Sequence, residues 1–525
     1  MNNNKDEHLA PPFREGLPQT GEEITAAFNA LQNKFAATFE QIFKDPNTPK
    51  TVVILPSLSL DQEIMARISG VHHYEERMLC LLLLLRMPRT KVIYLTSTPI
   101  HEMIIDYYLH LLPGVPAQHA RSRLTLLACD DPSPIALTEK ILRRPRLIER
   151  ILSAIQTPDV THMTCFTVTE LEQSLALHLG IPIYGCDPKH LHWGSKSGSR
   201  HIFRDASILM PDGYEDLTSP DDIADAITAL KERNPALEKA VVKINEGFSG
   251  EGNAIMKLQD APTGRALRPW VVEHLPKLNF EAEAISWQLY QQKFAAMGGI
   301  VEEFITGPNK RSPSAQFRVN PIGTLDAIST HDQLLGGDNG QIFIGCKFPA
   351  DESYRITIQD TGMKAASILR DKGVLGRFGI DFISVKAGDK WQHYAIEINL
   401  RKGGTTHPFQ MLQFLTDGRY DPATGQYLTV AGHPRFYYAS DNLESINYRG
   451  LTPYDLVDIS VMNGLHFHSA TGEGVTFHLI GALSEFGKLG VVCIGETAAR
   501  AEKLYSRTVD ILDAEGNRTL PPPAL

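Results

Sequence analysis

Cysteine is scarce and unpatterned: six residues in 525, at 80, 129, 165, 186, 346 and 493, with no Cys-x-x-Cys pair. Zinc knuckles and disulfide frameworks need clustered cysteines, so both are excluded, and reduced, buried thiols in a cytoplasmic protein are expected. Positive charge is not in excess. Lys and Arg total 51 against 61 Asp and Glu, a net charge of −10, which leaves no electrostatic footprint for nucleic acid. The longest apolar run, 78–85, falls far short of the roughly 20 residues that span a membrane. The opening MNNNKDEHLAPPF has no apolar signal core, so neither a secretory leader nor a membrane partner is expected. No G-x-G-x-x-G follows the first strand-like run, which argues against a dinucleotide site. No lysine sits in a Met-Lys-Met context, which counts against a biotin-carrying partner. What remains, 42% hydrophobic and 21% charged, is ordinary for a globular enzyme of three or four domains.

The N-terminal third alternates. Residues 1–22 are polar and proline-rich, and Ile24, Phe28, Leu31, Phe35, Phe39 and Phe43 then recur at helical spacing. Apolar runs at 51–59, 91–99, 124–130 and 163–168 read as buried parallel strands, with a shorter one at 181–185. Helical segments at 75–86, 101–112, 135–155 and 170–179 separate them. This pattern predicts a doubly wound α/β domain, whose ligands bind beyond the carboxyl ends of the strands. Ser57, Ser59, Thr96, Ser97 and Asp130 fall there. Histidine and arginine clusters at 72–77, 119–123 and 143–146 read as solvated helix ends and interdomain ion pairs in preference to a substrate pocket.

The densest chemical signal is 376–408, GRFGIDFISVKAGDKWQHYAIEINLRKGGTTHP. Two runs of alternating β-branched and aromatic residues, broken once at Gly388-Asp389, predict a hairpin. Glu397 and Asn399 leave one face of its second strand, and a turn centred on Asp389 sets Asp381 opposite Glu397. Asp381, Glu397 and Asn399 then form an oxygen-ligand set for a hard cation, Mg²⁺ or Mn²⁺, shared with substrate phosphates. A solvated edge hairpin is the plainer alternative; it accounts poorly for acids placed between Ile380 and Phe382 and between Ile396 and Ile398.

Upstream, KAVVKINEGFSGEGNAIMKL (239–258) reads as a strand, a loop and a returning strand. Lys243 projects from the first strand, and Gly247, Ser249, Gly250 and Gly252 lie in the loop. Such a loop lets backbone amides fold over a polyphosphate while the lysine supplies a point charge. A glycine-rich hairpin tip fits this segment equally well when it is taken alone.

An acid–Asn strand followed by a basic, glycine-rich turn resembles the closing signature of ATP-grasp enzymes. EINLRKGGTTHP, with GSKSGSR, KINEGFSGEGNA, STHDQLLGG and GCKFPAD, is more narrowly similar to ATP-grasp peptide ligases of the pheganomycin-biosynthesis type. The resemblance runs from about residue 50 to residue 512. It implies a doubly wound N-terminal domain, an ATP-grasp fold and a small C-terminal α/β domain. The expected divisions are an arm and helix at 1–48, the α/β domain at 49–190, the ATP-grasp domain at 191–435 and the C-terminal domain and tail at 436–525. Within the ATP-grasp domain a lid is expected at about 200–300 and a metal-binding part at about 301–435. It implies MgATP as cofactor, with Lys196 and Lys243 on its phosphates and the hinge GIVEEFITG binding adenine through the backbone of Glu302 and Ile305. Glu303 binds ribose or faces solvent. Arg318 is a candidate for the γ-phosphate or the carboxylate being activated, or else a plain ion-pair partner. D-alanine–D-alanine ligases carry an arginine two residues before the metal aspartate; here that position is Gly379, so Arg377, Arg318 or Arg401 inherits the transition-state role. The implied activity is a carboxylate–amine ligase that passes through an acyl phosphate and releases ADP. Its substrates would be a small carboxylate and an amino acid or peptide amine, and a homodimer is kept as an expectation. A carboxylating or kinase-type ATP-grasp enzyme, or an ATP-binding regulatory protein, is the alternative.

Overall fold

The computed structural model describes residues 18, 20–45, 47–59, 70–246, 252–281, 285–336 and 342–518. Most of the expected arm, the glycine loop at 247–251 and the proline-rich tail lie outside them. Among the described residues, no helix is long and apolar enough to cross a membrane.

The first unit is a four-stranded parallel sheet in the order Leu124–Ala128, Thr90–Thr96, Lys50–Leu55, Thr161–Cys165. Its strands are apolar on both faces because helices cover both. Val53, Leu55 and Ile93 pack against helices Leu137–Leu142, Pro145–Ala154 and Glu170–Leu179. Val52, Ile54 and Tyr94 pack against Glu102–His110 and a 3-10 helix at Val71–Arg86. The expected single helix over 135–155 is broken ahead of Pro145, whose ring disfavours a helical residue before it. The run at 181–185 contributes one isolated bridge, Met163 to Ile183.

A five-stranded antiparallel sheet follows, in the order Gly213–Leu217, Gly299–Glu303, Lys239–Ile244, Asn253–Lys257, Asn279–Phe280. Ala240, Val242 and Val301 point into a core with helices Pro220–Arg233 and Leu267–His274. By the two-residue period of a strand, Val241, Lys243 and Glu302 therefore point the other way.

The largest sheet has eight strands, in the order Lys390–Asn399, Gly376–Ala387, Pro313–Val319, Leu325–Gly336, Ile342–Phe348, Phe436–Glu444, Lys488–Gly495, Gly474–His478. Phe317, Phe378, Ile380 and Ile398 bury its inner face against helices Lys196–Asp205 and Arg355–Asp371. The strand Phe436–Glu444 joins the hairpin half of the sheet to the C-terminal strands. Its alternation is real, since Tyr437 and Ala439 are buried. Pro434 and the Asp441-Asn442 pair mask it locally, and its partners come from distant parts of the chain.

The α/β unit meets the large sheet at two glycines. Gly376 has φ of +98°, and a Cβ added there would stand 2.9 Å from the Cα of Gly185. Gly376→Ala therefore meets both backbone strain and a backbone clash, and a loss of about 1–3 kcal/mol is expected. A thermal melt showing an unchanged midpoint would contradict this account of the junction.

Candidate active site

The hairpin forms in the expected register: Asp381 is the Cα partner of Glu397 and Gly379 that of Asn399. Ile380, Phe382 and Ile398 turn into the core, which leaves the acids together on the opposite face. Both Asp381 carboxylate oxygens are occupied by amides. Asn399 Nδ2 donates to Oδ2 at 2.9 Å, and Gln333 Nε2 donates to Oδ1 at 2.7 Å. Glu397 pairs with Lys196 Nζ. Burial, and next the Glu397 charge, push the Asp381 carboxyl up to about 7, against the pull of Lys196, Arg401 and the Gln333 amide. Two acids held face to face in a desolvated place have the chemistry to take a cation. The residues present fit a hard divalent ion: two carboxylates, with the Asn399 amide oxygen directed away from the nitrogen that serves Asp381.

Lys196 is placed by local structure. It opens the helix Lys196–Asp205, whose N-cap Ser195 accepts from Gly198 N at 3.0 Å. Gly198 is required, since a Cβ there would lie 1.9 Å from the His192 carbonyl oxygen. One turn in, Ser199 Oγ accepts the Ile398 amide at 3.0 Å and fixes the helix to the hairpin. Lys196 is thereby carried to Glu397.

The two antiparallel sheets face each other across a cavity of about 150 Å³. Lys196, Asp381 and Glu397 line one side and Lys243, Glu302, Glu303 and Ile305 the other. Lys243 Nζ contacts Glu302 Oε1, while Arg200 Nη1 donates to Glu302 Oε2 at 3.3 Å. Glu303 is anchored, its carboxylate accepting the Asp212 amide at 3.1 Å. The ladder of this strand stops at Glu303, so Ile305 lies in the stretch of backbone beyond it. Phe304, Leu335, Ile383 and Ile396 give the cavity apolar walls suited to a planar base. Of the loop residues, Gly252 is described: its carbonyl accepts from Ile244 N and from Tyr290 Oη, each at 3.1 Å. Gly247, Ser249 and Gly250 lie outside the described residues.

The arginines divide. Arg401, two residues beyond Asn399, is enclosed; burial lowers its pKa, and the charges of Glu397 and Asp381 oppose that shift. Arg318 is not brought to the acids. Its strand meets Asp381 at Ser314, four residues earlier, and its guanidinium binds Asp326 at 2.7 Å. Of the readings open to Arg318, the ion pair is what the geometry realises. His331, beside Gln333 in sequence, is buried and bonded to Tyr437 Oη at 2.6 Å.

Several residues were not singled out in the sequence. Lys310 lines the cavity; burial, followed by the charges of Lys243 and Lys239, lowers its pKa. It sits in the turn ahead of Pro313–Val319, where no periodicity marks it. Arg200 and the Glu302 side chain form the buried brace behind Lys243. Asp441, with Arg77 at 2.8 Å, His478 at 2.7 Å and His407 at 3.2 Å, ties the turn after Arg401 to the far strands and to the α/β unit. Arg77 belongs to the 72–77 cluster, where interdomain ion pairs are expected; Asp441, His478 and His407 are far apart in the chain, and no local motif links them to it.

An acid–amide face on one sheet, with Lys196 beside it and Lys243 opposite it from a second sheet, is the arrangement expected of an ATP-grasp cleft. The IQCH-like ATP-grasp family matches residues 189–265 and 265–423, and the PGM1 C-terminal domain family matches 455–508. Over 480 residues the chain is 30% identical to L-propargylglycine–L-glutamate ligase of Streptantibioticus cattleyicolor, covering 89% of this chain and 94% of that protein. It is 21% identical over 449 residues to IQ motif-containing protein H of Danio rerio, covering 76% of this chain and 42% of that one. In fold it resembles an ADP complex of N5-carboxyaminoimidazole ribonucleotide synthetase, with a TM-score of 0.51, 12% identity, and 89% and 98% of the two chains covered. Biotin carboxylase from Campylobacter jejuni gives a TM-score of 0.52 at 13% identity, with 90% and 96% covered. The chain belongs to the ATP-grasp superfamily and, within it, to the pheganomycin-type peptide ligases.

The raised Asp381 pKa carries a prediction. Cation binding needs the ionised carboxylate, which without metal is the minor form below pH 7 and the major form above it. The apparent Mg²⁺ affinity is therefore expected to tighten about tenfold from pH 6 to pH 8 and then level off. An affinity that is flat over that range, measured by Mg²⁺ titration at fixed ATP, would contradict the burial of Asp381.

Proposed function

We propose that the protein joins a small carboxylate to the amine of an amino acid or peptide, using MgATP and releasing ADP and phosphate. The observation that carries this reading is the meeting of Asp381, Glu397 and its partner Lys196 on one side of a single cavity with Lys243 on the other. Asp381, Glu397 and Asn399 would hold Mg²⁺ or Mn²⁺, which would supply charge neutralisation to the transferring phosphate.

The remaining work falls to this chain's residues. Lys196 and Lys243 exchange their carboxylate partners for phosphate oxygens, and Arg200 keeps Glu302 compensated when Lys243 leaves it. The backbone of Glu302 and Ile305 reads the adenine edge, Glu303 lies within reach of the ribose, and Lys310 adds a third cation. A carboxylate oxygen attacks the γ-phosphorus, the bond from that phosphorus to the β-bridging oxygen breaks, and ADP departs. The amine then attacks the acyl carbon, the carbon–oxygen bond to phosphate breaks, and the amine's proton passes to the departing phosphate. Arg401, beside the acids and enclosed by protein, faces the negative charge that develops in both steps. Six free, buried cysteines fit a cytoplasmic setting. The likeness to carboxylating enzymes is one of fold alone and adds no carboxylation chemistry.

The test is ATP turnover on a matrix of carboxylic acids against amino acids and short peptides, with product mass read out. ADP release is expected only where both partners are present, with an amide product of matching mass. Glu397→Gln is expected to lower Mg²⁺-dependent turnover by about a hundredfold or more, since metal charge stabilisation is worth several kcal/mol. Turnover near wild type at saturating Mg²⁺ would remove Glu397 from the site.

A further inference from the structure

The polar face of the large sheet changes sign along its strands. Asp381, Gly379 and Arg377 are two residues apart and share that face, while Phe378 and Ile380 enter the core. Across the ladder Arg377 is opposite Arg318, just as Asp381 is opposite Ser314. The acids and this arginine pair are thus four residues apart, about 13 Å at roughly 3.3 Å per residue. Arg401 follows the acids on the neighbouring strand, so cations gather at the end away from the lysine-bearing sheet.

Arg377 is the unusual member. Arg318 has Asp326, whereas Arg377 has no hydrogen-bond or ion-pair partner among the described residues. Arg377 is half-buried, and the charge that acts on it most strongly is the like-signed Arg318. Burial first, and then Arg318, push its pKa down to about 10. An unpaired cation in such a place is a cost to the fold. It borders a small cavity of about 10 Å³, lined with Gln316, Ser329, Thr405 and Thr406, room for about one oxygen atom. The α/β unit closes over it, with Gly185 against Gly376 and Tyr184 among the groups that Arg377 senses.

We propose that Arg377, backed by Arg318, receives the non-reacting carboxylate of the amine substrate, so that the acceptor is a free amino acid or a peptide with a free C-terminus. This rests on the ligase reading above. An amino-acid acceptor carries both the nucleophile and a carboxylate that must not itself reach the γ-phosphate. A face with its metal acids at one end and an unpaired guanidinium at the other sorts the two groups. The carboxylate held at Arg377 is kept from activation, and the amine points back toward the acyl phosphate.

The test compares an acceptor amino acid and an acceptor dipeptide with their C-terminal amides, in the full-length wild type, Arg377→Met and Arg377→Lys. Wild type is expected to show a lower KM for the free carboxylates than for the amides. Arg377→Met should raise KM for the free carboxylates by about 10- to 100-fold, the range of a lost charge-assisted contact. The amides should shift by less than about twofold, and Arg377→Lys should restore part of the difference. The melting temperature of Arg377→Met should hold or rise, because an uncompensated cation is gone. Equal KM values for acid and amide in wild type, or an equal rise for both in Arg377→Met, would overturn the subsite. If no acceptor yields an amide, the ligase reading fails instead. Isothermal titration with the same amino acid and its amide then decides the subsite: weaker binding of the amino acid alone to Arg377→Met supports it, and unchanged binding overturns it.

Discussion

Two carboxylates that face each other from neighbouring strands set the terms for the rest of the molecule. Asp381 and Glu397 are brought together by the hairpin register, on a face whose reverse is packed with Phe378, Ile380, Phe382 and Ile398. Left alone they would repel, and burial would favour protonation. The structure surrounds them instead with compensating groups: Lys196 on Glu397, and the Asn399 and Gln333 amides on Asp381. These helpers come from a helix, the hairpin itself and a third strand. Fixing the acid pair therefore fixes the packing of all three elements.

The same constraint explains the second sheet. Lys243 lies across the cavity with its charge held by Glu302, which Arg200 also braces. Each of the two lysines that line the cavity thus rests on a carboxylate. Such pairs add little net stability when buried; their value is positional, because the lysines arrive at the cleft already ordered. Farther along the large sheet the compensation stops at Arg377, and that imbalance is what gives the cation end of the face its meaning.

Much of this was legible in the sequence where the signal is local. The hairpin, its register and the set Asp381, Glu397 and Asn399 follow from two-residue alternation and one turn. Lys243 follows from a strand that ends in a glycine-rich loop. Lys196 and the hinge residues Glu302 and Ile305 became visible only through resemblance to a family, since a lysine after a serine or an acid on an apolar strand carries no local signature. Arg318 shows where strand reasoning falls short. It lies on the right strand and the right face, but the register sets it opposite Arg377 instead of Asp381. Lys310, Arg200 and the Asp441 cluster were silent because their partners are dozens to hundreds of residues away. The strand Phe436–Glu444 was hidden for the same reason: its burial is supplied by strands that no local window contains.

The central claim is that the acid pair holds metal against the terminal phosphates, so that the substrate carboxylate attacks the γ-phosphorus. It is tested most directly by running the reaction with an ¹⁸O-labelled carboxylic acid and following the label. The account predicts ADP and inorganic phosphate as products, with one labelled oxygen from the carboxylate in the phosphate. AMP and pyrophosphate, with the label in AMP, would contradict it.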